Sequence, residues 1–548
     1  MRILKYGSTG PAVELLQLAL DRAGFGELAL DGIFGTKTKN AVLRFQSLNG
    51  LAADGIVGPA THRALVPWYT GFATHRVHRN DTLWSIAELY GSTLRAINIA
   101  NPGLNAENLQ VGSVVTVPLP FDIVPTNISF TSALTAYCAR GIAARYPFVK
   151  IGEVGKSVMG RTLWYLSAGR GDRLVLYNAA HHANEWITVP VLLKFCEQYA
   201  KAYAYDEKIF GFAASEIFGR TNIYIAPCVD PDGVDLVTGE LSSGEYFESA
   251  KRIAANYPSI PFPSGWKANI RGVDLNLQYP AGWEQARENK FAQGFVSPAP
   301  ADYVGSAPLV APEARAMYDF TLSLSPELIL AYHTQGEVIY WKFLDYEPTN
   351  SRAIADTFAA VSGYSVEDTP YASGFAGYKD WFIQDFNRPG YKKLMRRLRE
   401  GDLLVIPSID RLGRNYDEVL EEWRRITKVK RADVVVLDMP LLDTRGSSIQ
   451  GITGVFISDL VLQLLSYVAQ LEREHIRERQ RQGIDAALAR GVRFGRPPHP
   501  RPEGYSEVAQ LVREGEISQR GGAAQLEVSV STFRRWLAAD QCSEERCA

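Results

Sequence analysis

The 548-residue chain is too long for one hydrophobic core, and its 46% hydrophobic content is ordinary globular material, so several domains are expected. A net charge of −2 hides an asymmetry: residues up to 391 carry a modest acidic excess, whereas those beyond are slightly basic and Arg-rich, a hint of a nucleic-acid partner there. Five cysteines (Cys138, Cys196, Cys228, Cys542, Cys547) without CxxC spacing speak against a disulfide framework or a thiolate zinc site, and no apolar run reaches the roughly 18 residues of a membrane span.

An internal repeat opens the chain. Leu30-Asp31-Gly32-Ile33-Phe34-Gly35 recurs as Ala53-Asp54-Gly55-Ile56-Val57-Gly58, and each copy is a tight turn that launches a helix, with Thr36 or Pro59 where a helical first turn favours them. Between the copies Ala41, Val42, Phe45 and Leu48 keep helical spacing, as an amphipathic helix requires. Residues 1–68 resemble the peptidoglycan-binding three-helix domain of wall hydrolases; a small helical domain without that ligand is the alternative.

Residues 75–119 read as strand, two helices, strand, through Val77-His-Arg-Asn-Asp-Thr-Leu-Trp-Ser-Ile-Ala87, Asn98-Ile-Ala-Asn-Pro-Gly-Leu104 and Leu109-Gln-Val-Gly-Ser-Val-Val-Thr-Val-Pro118. The three motifs in this order resemble a LysM domain, which implies a βααβ fold with a shallow groove for N-acetylglucosamine-containing glycans. His75 and His78 read as exposed strand residues rather than ligands, and Pro118, Pro120 and Pro125 mark a linker.

Beyond the linker short β-rich runs, Leu174–Asn178, Asn222–Ala226 and Glu327–Tyr332, alternate with helical stretches, which predicts an α/β sheet. His181-His182-Ala183-Asn184-Glu185 follows the first run and His333 follows the third. Two His and one Glu, with a fourth position open to water, form a catalytic zinc set, and donors at the ends of neighbouring strands can reach one ion. The expected ligands are His182, Glu185 and His333, with zinc as cofactor; His181, one residue out of phase, reads as structural, and is a ligand only if the register is shifted.

Residues 125–391 resemble the zinc carboxypeptidase family, and most of all its bacterial γ-D-glutamyl-diamino-acid endopeptidase branch. The resemblance rests on that ligand set together with Cys228-Val-Asp-Pro-Asp-Gly-Val234, Trp266-Lys-Ala-Asn-Ile-Arg-Gly-Val-Asp-Leu-Asn-Leu-Gln278 and Tyr371-Ala-Ser-Gly-Phe-Ala-Gly-Tyr-Lys-Asp-Trp381. It implies that Lys267, Arg271 and Asn276 bind substrate and that Tyr371 is the mobile tyrosine of the family, a structural aromatic being the alternative. Exopeptidases of the family carry Asp-x-Asn-Arg, whose arginine grips a terminal carboxylate; Asp274-Leu275-Asn276-Leu277 lacks it, so cleavage within a wall stem peptide is expected rather than C-terminal trimming. The family also places a general-base glutamate on a late strand. Here that position falls near Leu394, within Tyr391-Lys-Lys-Leu-Met-Arg396, where no carboxylate stands, and Glu400 is the nearest candidate, on a segment that reads as helix.

After Arg388-Pro389-Gly390-Tyr391 the sequence changes character. Leu403-Leu-Val-Ile-Pro-Ser-Ile-Asp-Arg-Leu-Gly-Arg-Asn415 reads as a strand ending in a loop with Asp410, Arg411 and Arg414, closely spaced groups suited to a phosphodiester. The string resembles the Asp-Arg-Leu-x-Arg motif of serine recombinases (resolvases and invertases), which implies catalytic roles for those three residues. The same resemblance makes residues 455–480 a dimerisation helix, Gly491–Pro498 with Arg496 a minor-groove arm, and the Arg534 and Arg535 segment the recognition element of a helix-turn-helix. No Arg-x-Ser-like nucleophile precedes the motif, so strand exchange is not expected.

The whole reads as multidomain: a small α-helical wall-binding domain, a βααβ LysM domain, a truncated α/β zinc-carboxypeptidase sheet, a partial α/β resolvase domain (392–490) with a long helix, and an arm with a C-terminal helix-turn-helix (491–548). Both families tolerate an Arg-Pro-Gly-Tyr-like string at this place, so a chimera joined there is the reading, with both active sites incomplete. Its expected partners are peptidoglycan glycan and stem peptides, and DNA through the tail. The competing reading is a DNA-binding recombination protein with the peptidase half as passenger. The opening residues show no signal peptide, which points to the cytoplasm, whereas the wall-binding modules point to the cell wall or spore.

Overall fold

The computed structural model describes residues 2–386, 394–395, 397–409, parts of 412–445 and most of 501–540. It divides into two compact units, Met1–Lys392 and Lys393–Ala548.

The first unit begins with three helices, α1 (Pro11–Arg22), α2 (Thr36–Leu48) and α3 (Pro59–Thr70). The sequence repeat has a structural cause: a buried glutamine from the preceding helix grips each Asp-Gly turn. Gln17 donates from Nε2 to Asp31 Oδ1 at 2.8 Å and accepts from the Gly32 amide at 3.0 Å. Gln46 does the same for Asp54 at 3.0 Å and the Gly55 amide at 2.9 Å. Gly32 and Gly55 sit at φ 67° and 73°, where a Cβ would be strained. Leu4, Val13, Leu16, Phe34, Val42, Phe45, Val57 and Leu65 fill the core between the helices. Leu48, expected on that apolar face, is instead exposed, because it ends α2 at the surface.

Next come β1 (Phe72–Arg76), α4 (Leu83–Tyr90), α5 (Leu94–Ala100) and β2 (Val114–Pro118), with β1 antiparallel to β2. Thr82 and Ser85 form a reciprocal capping box that starts α4. The expectation of two exposed strand histidines is corrected here. His75 is buried on β1, held between Asp81 and Tyr90, while His78 is exposed and lies past the strand end, in the loop before α4.

The α/β part contains α6 (Ser132–Arg145), β3 (Lys150–Lys156), β4 (Thr162–Gly169), β5 (Arg173–Ala179), α7 (Thr188–Ala204), the short pair β6 (Lys208–Ile209) and β7 (Phe212–Ala213), α8 (Ala214–Arg220) and β8 (Thr221–Ala226). It continues with α9 (Pro231–Thr238), α10 (Glu245–Ala254), α11 (Trp283–Ala292), α12 (Pro312–Leu324), β9 (Leu328–Tyr332), β10 (Val338–Tyr340), α13 (Ser351–Ser362), β11 (Ser365–Glu367) and α14 (Tyr378–Phe386). The main sheet has the order β3-β4-β8-β5-β9; β3, β4 and β8 pair antiparallel, and β8, β5 and β9 pair parallel. One apolar cluster brings Leu134, Ile142, Val189, Leu192 and Phe218 together with Leu166, Ile223 and Ile225; a second gathers Leu176, Met317, Tyr378 and Trp381. Because β5 and β9 are parallel and adjacent, with Ala179 opposite Tyr332, the segments that leave their C-terminal ends emerge side by side. Among the described residues β9 pairs only with β5, and β10 and β11 form a separate parallel pair.

In the second unit β12 (Leu403–Ile406) pairs parallel with β13 (Asp433–Val436), and α15 (Tyr505–Arg513) and α16 (Gln519–Gln525) enclose Tyr505, Ala509, Ala523, Phe533 and Trp536. Glu400, expected on a helix, lies in an exposed turn and pairs with Arg431 at 3.4 Å. Asp410, Arg411, Arg414, Arg496, Arg535 and the 455–480 segment fall outside the described residues. Arg534 is exposed and donates to Gln519 Oε1 at 3.0 Å.

Candidate metal centre

The chain leaves β5 at Ala179, turns through Ala180 at φ 50° and enters a single 3-10 turn, Ala183–Glu185. This places His182 and Glu185 one above the other, with His182 Nδ1 at 3.0 Å from Glu185 Oε1. His333, directly after β9, comes from the next strand, and its Nδ1 lies 2.9 Å from Glu185 Oε2 and 3.3 Å from His182 Nδ1. Glu185 is buried and His333 is the exposed member, so the cluster opens toward solvent on one side.

The donor geometry can be tested against zinc. Two nitrogens held roughly 2.0–2.1 Å from one ion at the tetrahedral angle stand about 3.3–3.4 Å apart. The two Nδ1 atoms are at that separation, and two imidazole lone pairs facing each other so closely need a cation or a proton between them. His182 Nε2, on the far side of the ring, is 3.4 Å from Asp274 Oδ1. A carboxylate there fixes the ring and its tautomer, the outer partner that metal-ligating histidines ordinarily have. The residues therefore fit a zinc ion.

Electrostatics follow from burial. Desolvation disfavours a charged His182, but Asp274 and Glu185 outweigh it and push its pKa up to about 10. Burial works against ionised Glu185 and Asp274 too, yet the histidines beside them hold Glu185 well below the usual carboxylate range, and His182 holds Asp274 down at about 2. His181 is fully buried; desolvation first, then His333 and His182, keep its pKa well below the ordinary value. Its Nε2 is engaged by the Tyr279 hydroxyl at 3.1 Å, so it serves the core rather than the cluster.

The other expected residues are distributed unevenly. Lys267 brings its Nζ to 3.9 Å from Glu185 Oε1. Arg271 is exposed, and its backbone N–H donates to Asn269 Oδ1. Asn276 uses its side-chain oxygen to accept from the Tyr378 amide at 3.0 Å, tying the start of α14. Tyr371 is 64% exposed on the Tyr371–Ser373 turn, edge-on to Phe375 at 5.0 Å between centroids. Sequence reasoning missed Asp274: it belonged to the quoted Asp-Leu-Asn-Leu string, but nothing in a linear motif says that its carboxylate faces His182.

Comparison with known proteins assigns the parts. Models of the zinc carboxypeptidase, peptidoglycan-binding, LysM and resolvase N-terminal domain families match residues 136–397, 9–65, 75–118 and 352–493 respectively. The first and last overlap at 352–397, the stretch that contains Arg388-Pro389-Gly390-Tyr391. A γ-D-glutamyl-L-diamino acid endopeptidase of Lysinibacillus sphaericus is 39% identical over 58% of this chain and 91% of its own length. The uncharacterized protein YqgT of Bacillus subtilis (strain 168) is 39% identical over 45% of this chain and 64% of its own length. The serine recombinase PinQ of Escherichia coli (strain K12) is 30% identical over 27% of this chain and 70% of its own length. The chain therefore belongs to the zinc carboxypeptidase family through its N-terminal part and to the serine recombinase family through its C-terminal part.

Proposed function

We propose that the chain is a peptidoglycan-binding zinc metallopeptidase of the γ-D-glutamyl-diamino-acid type, directed at cell-wall stem peptides, with a crippled hydrolytic step. It is fused to a recombinase fragment that retains DNA-binding elements without a nucleophile. The observation that carries the reading is the approach of His182 Nδ1 and His333 Nδ1 to 3.3 Å beside Glu185. His182, Glu185 and His333 are the residues that would hold the metal, with Asp274 orienting His182. A bound zinc ion supplies Lewis acidity at a scissile carbonyl and lowers the pKa of bound water.

The chain's own residues account for the rest. Lys267, beside Glu185, provides a cation toward an oxygen that gains negative charge, and Asp274-Leu275-Asn276-Leu277 offers no arginine fork for a terminal carboxylate, which favours an internal bond. What is missing is a proton acceptor: Tyr391-Lys-Lys-Leu-Met-Arg-Arg-Leu-Arg399 contains no carboxylate, and Glu400 is engaged with Arg431. A positioned base contributes roughly 10²–10⁴-fold, so metal binding with little turnover is the expected behaviour. The repeat-built helical module and the βααβ module support delivery to the wall, and no helix among the described residues is long and apolar enough to cross a membrane.

The test is co-sedimentation of the full chain with purified sacculi, together with zinc analysis of the pellet. The reading expects the chain in the pellet with zinc retained at the His182 site. A chain that stays in the supernatant and is retained on duplex DNA instead, in a salt-dependent manner, would transfer the function to the recombinase part.

A further inference from the structure

A second constellation lies in the LysM module, away from the peptidase residues. His75 Nε2 is 2.8 Å from Asp81 Oδ2, and His78 Nδ1 is 3.6 Å from the same oxygen. One ligand atom from each of the three residues lies within 4.8 Å of the others. Zinc bound to nitrogen and oxygen at roughly 2.0–2.2 Å in a tetrahedron gives donor separations of about 3.3–3.5 Å, and the two observed distances bracket that range.

The local fold brings these side chains together. His75 leaves the end of β1 on its buried side, and its other ring nitrogen meets the Tyr90 hydroxyl at 3.3 Å, which fixes the ring with Nε2 toward Asp81. The chain then reverses at Asn80, φ 74°, with the Asp81 amide donating to the His78 carbonyl at 3.2 Å. The turn returns Asp81 beneath His75 and His78. A His75–Asp81 hydrogen bond would serve a purely structural role without His78, whose side chain is 72% exposed yet stands edge-on to the His75 ring at 5.6 Å.

We infer that His75, His78 and Asp81 form a second divalent transition-metal site, of the zinc or nickel class, with an exposed fourth position for water. Two imidazoles and a carboxylate suit those ions rather than magnesium or calcium. Tyr90 is the outer partner that orients His75, as Asp274 does for His182 in the peptidase part. Such an ion clamps the loop between β1 and α4 to the strand, which stabilises the module in proportion to metal occupancy.

The experiment titrates the full chain with Zn2+ alone against a competing chromophoric chelator, beside His78→Ala, Tyr90→Phe and His182→Ala. The exposed His78 can be removed without disturbing the core. The expected result is two zinc equivalents for the parent chain, loss of one in His78→Ala, about tenfold weaker binding of that one in Tyr90→Phe, and loss of the other in His182→Ala. A His78→Ala chain that binds as much zinc as the parent overturns the inference. If His78→Ala loses an equivalent and His182→Ala loses none, the LysM site stands and the peptidase metal reading falls.

Discussion

The parallel strands of the two units differ in how they are covered. In the first unit β5 lies between β8 and β9, and Leu176, Asn178 and Ala179 are fully buried. In the second, β12 pairs only with β13 among the described residues, β13 also takes an antiparallel bridge between Val435 and Asp443, and Leu403 and Val405 of β12 are 45% and 49% exposed. Parallel sheets are normally covered on both faces, so the apolar residues that β12 leaves in water mark it as the less covered strand. The same signature appears more mildly in β9, the strand that precedes His333, where all five residues are half-buried. In sequence β9 lies before the join and β12 after it, and between them α14 packs Tyr378 and Trp381 into the core only a few residues from Arg388.

Changes at the metal cluster should sharpen that contrast most. Glu185→Gln removes the buried anion that faces both histidines, and it is expected to weaken zinc by more than about 100-fold in a chelator competition, while leaving sacculus binding unchanged. Asp274→Asn retains shape but loses the carboxylate behind His182, and a smaller loss of about 10–100-fold is expected in the same assay.

The helical module supplies a test of the opposite kind, since there both copies of the repeat pack into one core. Gln46→Ala strands the buried Gly55 amide, which should cost about 1–3 kcal/mol in denaturant unfolding of that module, with Gln17→Ala the matching change at the Gly32 amide in the other copy. The smallest effect is a pH dependence. Burial lowers the pKa of His62, which hydrogen-bonds Tyr69 and the Arg2 carbonyl. Its contribution to stability is therefore fully present above the ordinary histidine value of about 6.5 and declines as pH falls toward the lowered one, a slope that His62→Gln should flatten.

Much of this architecture was legible because the signals were local. The doubled Asp-Gly turn, the ordered LysM strings and the His-x-x-Glu after a β run depend on residues a few positions apart, and each lies where its spacing indicated. What escaped was set by distant contacts. His75 was expected to be exposed because strand alternation does not reveal that Tyr90 and Asp81 close over it. Asp274 stands in the sequence only as the first residue of the Asp-Leu-Asn-Leu string, whereas its carboxylate reaches back to His182 from another element. The parallel pair β10 and β11 is three residues per strand, too short for periodicity to announce.

The central claim is that the metal residues are assembled while the proton acceptor was lost at the join. The most direct measurement is hydrolysis of a γ-D-glutamyl-diamino-acid stem peptide by the zinc-loaded full chain and by one in which a glutamate-bearing strand replaces residues 392–398. The account predicts near-background turnover in the first and a gain of roughly 10²–10⁴-fold in the second, with equal zinc content. Rapid hydrolysis by the unaltered chain, or none by the zinc-bound replacement, would contradict it.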